Sequence, residues 1–191
     1  ARVVAAQQAH PLAASFGDAT VSSSDGQHFP LGGQAEVAGA VNPHKGSGPA
    51  ISFYTWVSGR YAPFHTKVIS VSEGEAAHVI DGLLYHGGDV DIAVHHTDGG
   101  GVSDHVFALC HLLGFRFAPR IPNLADRRLH TFGPASTWPT LEPFIAGRID
   151  EVLITTYWDD LLRLATSVRI GTVPASLMLR RLGSYPRQNG L

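Results

Sequence analysis

The feature that most constrains this fold is a strand-like apolar run followed by an aspartate, three glycines and a new helix. Residues 92–94 lead to Asp98, the glycines occupy 99–101, and Ser103 suits the N-cap of the helix that follows. Such a unit presents a carboxylate at the C-terminal end of a strand and turns the chain at once into a helix. We therefore expect an α/β fold with Asp98 at the carboxyl end of a strand.

Hydrophobic periodicity places four more strands and three more helices around this unit. Alternating or β-branched and aromatic residues predict strands at 19–25, 51–57, 64–71, 91–97 and 115–121. Apolar residues at helical spacing predict helices at 75–84, 103–113, 158–168 and 174–183. Acidic Glu73 and Glu75 suit the start of the first helix, and Gly114 suits the end of the second. Residues 123–148 contain three prolines and are expected to be irregular.

The order of these elements predicts a mixed sheet. The second and third strands form an antiparallel hairpin, and the helical crossover to the fourth strand lets it lie parallel to the first. Asp25 and Asp98 would then converge. The expected fold class is α/β: three antiparallel strands, then parallel strands, with flanking helices and a C-terminal helical extension. We divide the chain into the end of a preceding segment (1–18), a core (19–121), and an irregular insertion with the helical extension (122–191).

Composition excludes several classes of protein. The 191 residues are 44% hydrophobic, enough for a buried core, and the net charge of −2 leaves nucleic-acid contact to local patches. The single Cys110 excludes a disulfide framework and is expected to be a core thiol of a cytoplasmic protein. No apolar run approaches the ~20 residues of a membrane span, and no secretory pattern precedes residue 18, so no membrane partner is expected.

Asp25 and Asp98 are the candidate site residues. Two carboxylates that converge repel each other, and a divalent cation relieves the repulsion while it supplies the charge that phosphoryl transfer requires. Hard oxygen ligands favour Mg²⁺, and Mn²⁺ is expected to substitute for it. A third carboxylate is commonly needed to complete such a site. Because Asp-Gly is also a common turn dipeptide, each aspartate could instead simply end its strand.

Other site chemistries fit the sequence less well. Four histidines cluster in sequence: His95, His96, His105 and His111. Their spacing does not match a His-Glu-x-x-His zinc motif. Ser23 and Ser24 lack the sharp Gly-x-Ser-x-Gly turn of a nucleophile, and Lys45 lies in a glycine-rich segment without the order of a phosphate-binding loop.

Positive charge gathers in two groups. The first contains Arg116, Arg120, Arg127 and Arg128. The second contains Arg180, Arg181 and Arg187. Such groups can bind a DNA backbone, although the solvent-exposed face of a helix can show the same clustering of arginines in a sequence. We favour the first group as the DNA contact because it follows the helix that begins after Asp98.

Several segments together resemble the transposases of the Tn3 family of bacterial replicative transposons, and they cover nearly the whole chain. They are SSDGQ (23–27), YAPFH (61–65), DGLL (81–84), TD (97–98), DHVFAL (104–109), LGFRFAPR (113–120), WDDLLRLATS (158–167), GT (171–172) and LGSYPRQNGL (182–191). This set of motifs is far more specific than any one of them.

The resemblance implies a ribonuclease H-like catalytic domain of the Asp-Asp-Glu type inside a larger transposase. Asp25 matches the first family carboxylate and Asp98 matches the second. Enzymes of the family nick DNA at the 3′ ends of inverted repeats and join the freed 3′-hydroxyls to target DNA, so the implied partners are DNA and further copies of the full-length transposase.

Two departures from the family pattern stand out. Gly99 and Gly100 follow the second aspartate, where the family usually has Thr-Ala or a similar pair. The catalytic glutamate of the family lies beyond the segment at which this chain stops, and neither Glu142 nor Glu151 matches it. We therefore expect a fragment with two of three carboxylates that is inactive alone.

Two alternatives remain open. The first is a non-catalytic remnant that acts at most as a DNA-binding or interaction module. The second is a stand-alone ribonuclease H-like nuclease. The nuclease would need another acid from the set Asp150, Glu151, Asp159 and Asp160.

Overall fold

The computed structural model describes residues 2–32, 41–44 and 46–184, and its centre is a five-stranded sheet. The sheet contains β1 (Val21–Pro30), β2 (Ala50–Ser58), β3 (Pro63–Ser70), β4 (Val94–Thr97) and β5 (Arg116–Phe117). A separate pair of strands consists of β6 (Leu129–Thr131) and β7 (Ile145–Arg148). The α-helices are α1 (Arg2–Ala9), α2 (Val79–Leu84), α3 (Asp104–Leu113), α4 (Glu151–Thr156), α5 (Trp158–Arg169) and α6 (Ala175–Gly183). Lys45, Arg187 and the end of the 182–191 motif lie outside the described residues.

The strand order of the sheet is β3-β2-β1-β4-β5. Strand β2 pairs antiparallel with both β1 and β3, whereas β4 pairs parallel with both β1 and β5. The predicted mixed sheet of three antiparallel strands followed by parallel strands is confirmed. Ser24 and Thr97 form the last residue pair between β1 and β4, so Asp25 and Asp98 are the next residues of the two strands.

The hydrophobic core lies between the sheet and helices α2, α3, α5 and α6. Trp56 is fully buried, and its indole N–H donates to the Val79 carbonyl at 2.9 Å. A Cβ at Gly82 would lie 2.1 Å from the Trp56 ring, so this glycine lets α2 pack directly on the indole. Cys110 is fully buried, as expected, and burial raises the pKa of its thiol to about 12.

Three strands differ in length from their predictions, and one of them, β4, begins at Val94 instead of residue 91. Strand β1 continues past Asp25 because residues 25–30 pair with β2. Asp25 therefore lies in the middle of β1, where pairing with β4 stops, and not at the end of the strand. Strand β5 has two residues instead of seven. The backbone N–H of Arg120 still donates to the Thr97 carbonyl at 2.8 Å.

The helices also show additions and changes. The helix predicted at 75–84 begins with a 3₁₀ turn, Glu75–His78, before α2. Helices α5 and α6 confirm the predictions at 158–168 and 174–183, whereas α1 and α4 were not predicted. The segment expected to be irregular contains β6 and β7, which pair in parallel. None of the helices among the described residues has the length and apolar character needed to cross a bilayer. The division at 18/19 and 121/122 stays a prediction.

Candidate metal centre

Three carboxylates converge beside the centre of the sheet. Asp25, Glu75 and Asp98 each offer an oxygen atom, and these atoms all lie within 4.8 Å of one another. Asp25 comes from β1, Asp98 follows β4, and Glu75 begins the 3₁₀ turn before α2. The structure thus brings together the two aspartates that the sequence singled out, and their catalytic role stays a prediction. The expectation of only two carboxylates is wrong, because Glu75 joins them.

Local hydrogen bonds hold the two aspartates in place. The Asp25 carboxylate accepts from the Gly26 backbone N–H at 2.8 Å, and the Asp98 carboxylate accepts from the Gly100 backbone N–H at 2.9 Å. The turn after Asp98 also requires its third glycine, because a Cβ at Gly101 would lie 2.6 Å from the Thr97 side chain. Gly101 therefore lets the turn pack against Thr97, and the Gly100 N–H fixes one oxygen of Asp98.

Two glycines make room for the Glu75 carboxylate. A Cβ at Gly26 would lie 2.3 Å from Glu75 Oε1, and a Cβ at Gly100 would lie 3.0 Å from Glu75 Oε2. The His28 imidazole approaches the same carboxylate, with Nε2 3.6 Å from Oε1. Gly100 is one of the two residues that depart from the family pattern, and a side chain there would crowd the Glu75 carboxylate.

Sequence reasoning noted Glu75 only as an acidic residue at a helix start. Its position after the third strand was a signal for this role. The connection from β3 to β4 passes the C-terminal edge of the sheet, where the pairing of β1 with β4 ends. The three carboxylates, with His28 and Asn42, line one open cleft. A centre of hard oxygen donors with several negative charges is the donor set that Mg²⁺ and Mn²⁺ prefer.

The four arginines of the first basic group do not form one patch. Arg116 pairs with Val94 at the start of β4, at the opposite end of that strand from Asp98. Arg120 lies beside Thr97, next to the carboxylates. Arg116 and Arg120 are separated because β5 runs parallel to β4, so the chain passes from one end of β4 to the other between these two residues.

The other two arginines of that group follow β5. The Arg127 guanidinium lies 3.8 Å from the Asp104 carboxylate at the start of α3. Arg128 is exposed and donates to the backbone carbonyls of Ala125 and Arg127. Their role in binding DNA stays a prediction.

The alternative site residues have other partners. Asp150 caps α4 by accepting from the Leu153 N–H at 2.9 Å, and Asp160 forms an ion pair with Arg163. Neither belongs to the acidic cluster found among residues 2–32, 41–44 and 46–184. His95 is fully buried with both ring nitrogens hydrogen-bonded to serines, which leaves no nitrogen for zinc.

Comparisons with known proteins agree with the resemblance seen in the sequence. The family described as Tn3 transposase DDE domain matches residues 1–191. The chain is 54% identical to the transposase for transposon Tn501 of Pseudomonas aeruginosa and 52% identical to the transposase for transposon Tn21 of Escherichia coli, each over 191 residues. Both matches cover 100% of this chain and 19% of the relative, so the chain spans about a fifth of their length.

Among solved structures, the Mos1 strand transfer complex matches with a TM-score of 0.36 and 10% identity, over 97% of this chain and 60% of that chain. The family match over the whole chain and the high identity to two transposases carry the assignment. This chain belongs to the Tn3 transposase DDE domain family.

Proposed function

We propose that this domain holds a divalent metal ion, Mg²⁺ in the cell, between Asp25, Asp98 and Glu75, and uses it to cut and join DNA strands as part of a larger transposase. The observation that carries the proposal is the convergence of three carboxylates within 4.8 Å in a chain of the DDE family. Mn²⁺ takes the same oxygen donors and can replace Mg²⁺.

The residues of the centre fit such an ion. Three carboxylates placed together repel one another unless a cation lies between them. Gly26 and Gly100 leave the space in which the Glu75 carboxylate reaches the two aspartates. The backbone N–H groups that bind one oxygen of Asp25 and one of Asp98 orient the remaining oxygens.

The chemistry then divides between the metal ion and the chain. A bound divalent ion supplies the charge that activates a water or 3′-hydroxyl and stabilises the leaving oxygen. Asp25 and Asp98 keep their positions because their strands are paired up to the preceding residue, Ser24 with Thr97. The open cleft that they line supports a path for a DNA backbone past the carboxylates.

The DNA backbone passes the cleft on the side of β5. Arg120, Arg127 and Arg128 contact it near the carboxylates, and Arg116 contacts it farther along. The position of Arg120 beside Thr97 supports this path. The full-length transposase acts as a self-associated complex on transposon ends and target DNA in the nucleoid, as the family resemblance implies.

The domain alone binds the metal ion but does not cut DNA. The catalytic glutamate that the resemblance implies belongs to a later helix, whereas Glu75 lies in the turn before α2. Glu75 therefore adds a third oxygen donor without replacing the missing residue.

The test is DNA cleavage by the full-length transposase that carries this domain. We expect Asp25→Asn and Asp98→Asn to abolish Mg²⁺-dependent cleavage at transposon ends, since each removes a charged metal ligand at almost constant volume. The matched control is Asp89→Asn, an exposed aspartate outside the centre, which should cleave normally. Undiminished cleavage by either centre variant would contradict the proposal.

A further inference from the structure

A chain of four buried polar side chains runs beneath the candidate metal centre. Ser22 Oγ lies 2.7 Å from His95 Nδ1, His95 Nε2 lies 2.9 Å from Ser24 Oγ, and Ser24 Oγ lies 2.8 Å from Tyr54 Oη. All four residues are at most 4% exposed. We call these residues the buried polar chain, and it links β4, β1 and β2.

The His95 imidazole, in the middle of the buried polar chain, is uncharged and has partners at both ring nitrogens and beside its ring face. Burial lowers the pKa of His95 to about 3, so the ring is neutral near pH 7. A neutral imidazole has one N–H donor and one acceptor nitrogen, and each of these has a serine hydroxyl as its partner. The Phe117 ring from β5 stacks beside it, with ring centroids 6.4 Å apart and planes 14° apart.

The residues of the buried polar chain lie close in sequence to the two aspartates of the centre or pair with their neighbours. Ser24 directly precedes Asp25, and Tyr54 is the β2 partner of Gly26, the residue that follows Asp25. His95 lies three residues before Asp98. The ladder between β1 and β4 contains only four residue pairs, so side-chain bonds across it add a large part of its lateral restraint.

The Tyr54 end of the buried polar chain is within electrostatic reach of the centre. Burial is the largest cause that raises the pKa of the Tyr54 hydroxyl, and the carboxylates of Glu75, Asp98 and Asp25 raise it further. A protonated hydroxyl therefore remains at this position, and its bond to Ser24 persists at all ordinary pH values.

We infer that His95 is a positioning residue: through Ser22 and Ser24 it sets the register and spacing of β1 and β4, and so the distance between the Asp25 and Asp98 carboxylates that hold the metal ion. Groups that orient metal ligands without touching the metal commonly change metal affinity when they are lost. The inference rests on the proposed metal site, and its test is therefore a measurement of metal binding.

The experiment compares two serine-to-alanine changes in the same sheet. Ser24→Ala removes two of the three bonds of the buried polar chain. Ser52→Ala makes the same change at a fully buried serine of β2 whose hydroxyl has no hydrogen-bond partner among the described residues. Mn²⁺ affinity is measured by calorimetry, and folding by circular dichroism and urea unfolding.

We expect Ser24→Ala to weaken Mn²⁺ binding about 10-fold while the protein stays folded, and Ser52→Ala to leave it unchanged. Ser22→Ala, which removes the other bond between His95 and β1, should weaken binding in the same direction and takes the place of Ser24→Ala if that variant does not fold. Equal affinities in Ser24→Ala, or in Ser22→Ala, and the unsubstituted protein would overturn the inference, as would an equal loss in Ser52→Ala. Failure of the unsubstituted protein to bind Mn²⁺ would instead refute the proposed metal site.

Discussion

Two acidic regions of this domain differ in the groups that surround their carboxylates. In the first, Asp81 on α2 is 3% exposed and accepts from Lys67 Nζ at 2.6 Å and from the Ser176 backbone N–H at 3.0 Å. Burial alone would raise the pKa of the Asp81 carboxyl. The nearby His78 imidazole, 3.8 Å away, and the hydrogen bonds from Lys67 and Ser176 outweigh burial and hold that pKa well below its usual value. Asp81 therefore stays ionised and ties α2 to β3 and α6.

In the second region, the candidate metal centre, carboxylates face one another. Asp25 and Asp98 are exposed, and each carboxylate accepts from a nearby backbone N–H: Asp25 from Gly26 and Asp98 from Gly100. Glu75 lies within 4.8 Å of both. The contrast teaches that the donors around a carboxylate decide its role: a lysine and a backbone amide satisfy the buried Asp81, whereas Asp25 and Asp98 are exposed at an open cleft where a cation can reach them.

Removal of the Lys67 ammonium should give the largest change in stability. Lys67→Met leaves the buried Asp81 carboxylate without its cation, and we expect a loss of about 2 kcal/mol in the free energy of unfolding. This is less than for a fully buried pair, because the Lys67 side chain is 33% exposed. Mn²⁺ affinity should not change.

Urea unfolding checks this prediction, with Arg163→Met as the control. Arg163 pairs with Asp160 on the surface of α5, with 75% of its side chain exposed. Loss of this pair should cost less than about 0.5 kcal/mol. If both variants lose the same free energy of unfolding, the Lys67–Asp81 pair does not differ from an ordinary surface ion pair.

Acid should also destabilise the domain through Asp81. The pKa of Asp81 is lower in the folded chain, so its ionised form stabilises the fold above the unfolded carboxyl pKa of about 4, and this contribution is lost as pH falls below that value. The urea midpoint should begin to fall at about pH 5 and should keep falling as the pH drops below about 3. Asp81→Asn should be less stable at neutral pH and should lose less on acidification; the same slope in both proteins would count against this role for Asp81.

A smaller effect is expected at Gly100, where a methyl group would press on the centre. Its Cβ would lie 3.0 Å from Glu75 Oε2 and 3.2 Å from Asp98 Oδ1. Gly100→Ala should weaken Mn²⁺ binding several-fold with little change in stability. Gly48→Ala, where no atom lies within 4 Å of the added methyl group, is the control. Unchanged Mn²⁺ affinity in Gly100→Ala would show that Glu75 needs no such space.

The sequence predicted the sheet because its signals are local and strong. Alternating and β-branched runs placed all five strands, and the helical crossover before the fourth strand predicted its parallel pairing with β1, which brings Asp98 to Asp25. The extent of β1 beyond Asp25 was missed because residues 26–30 contain glycine and proline, and only pairing with β2 keeps them extended.

The third carboxylate was missed because its position depends on tertiary packing. An acidic residue before a helix is common, and the sequence does not show that Gly26 and Gly100 leave space for the Glu75 side chain. The arginines were grouped by proximity in sequence, whereas the direction of β5 separates Arg116 from Arg120.

The most direct test of the metal centre is a calorimetric Mn²⁺ titration of this domain and three variants that each lose one charge: Asp25→Asn, Asp98→Asn and Glu75→Gln. We expect the unsubstituted domain to bind Mn²⁺, each variant to bind about 10-fold more weakly or worse, and Glu142→Gln, the same change at an exposed glutamate outside the centre, to bind normally. A Glu75→Gln variant that binds Mn²⁺ as tightly as the unsubstituted domain would contradict a centre of three carboxylates.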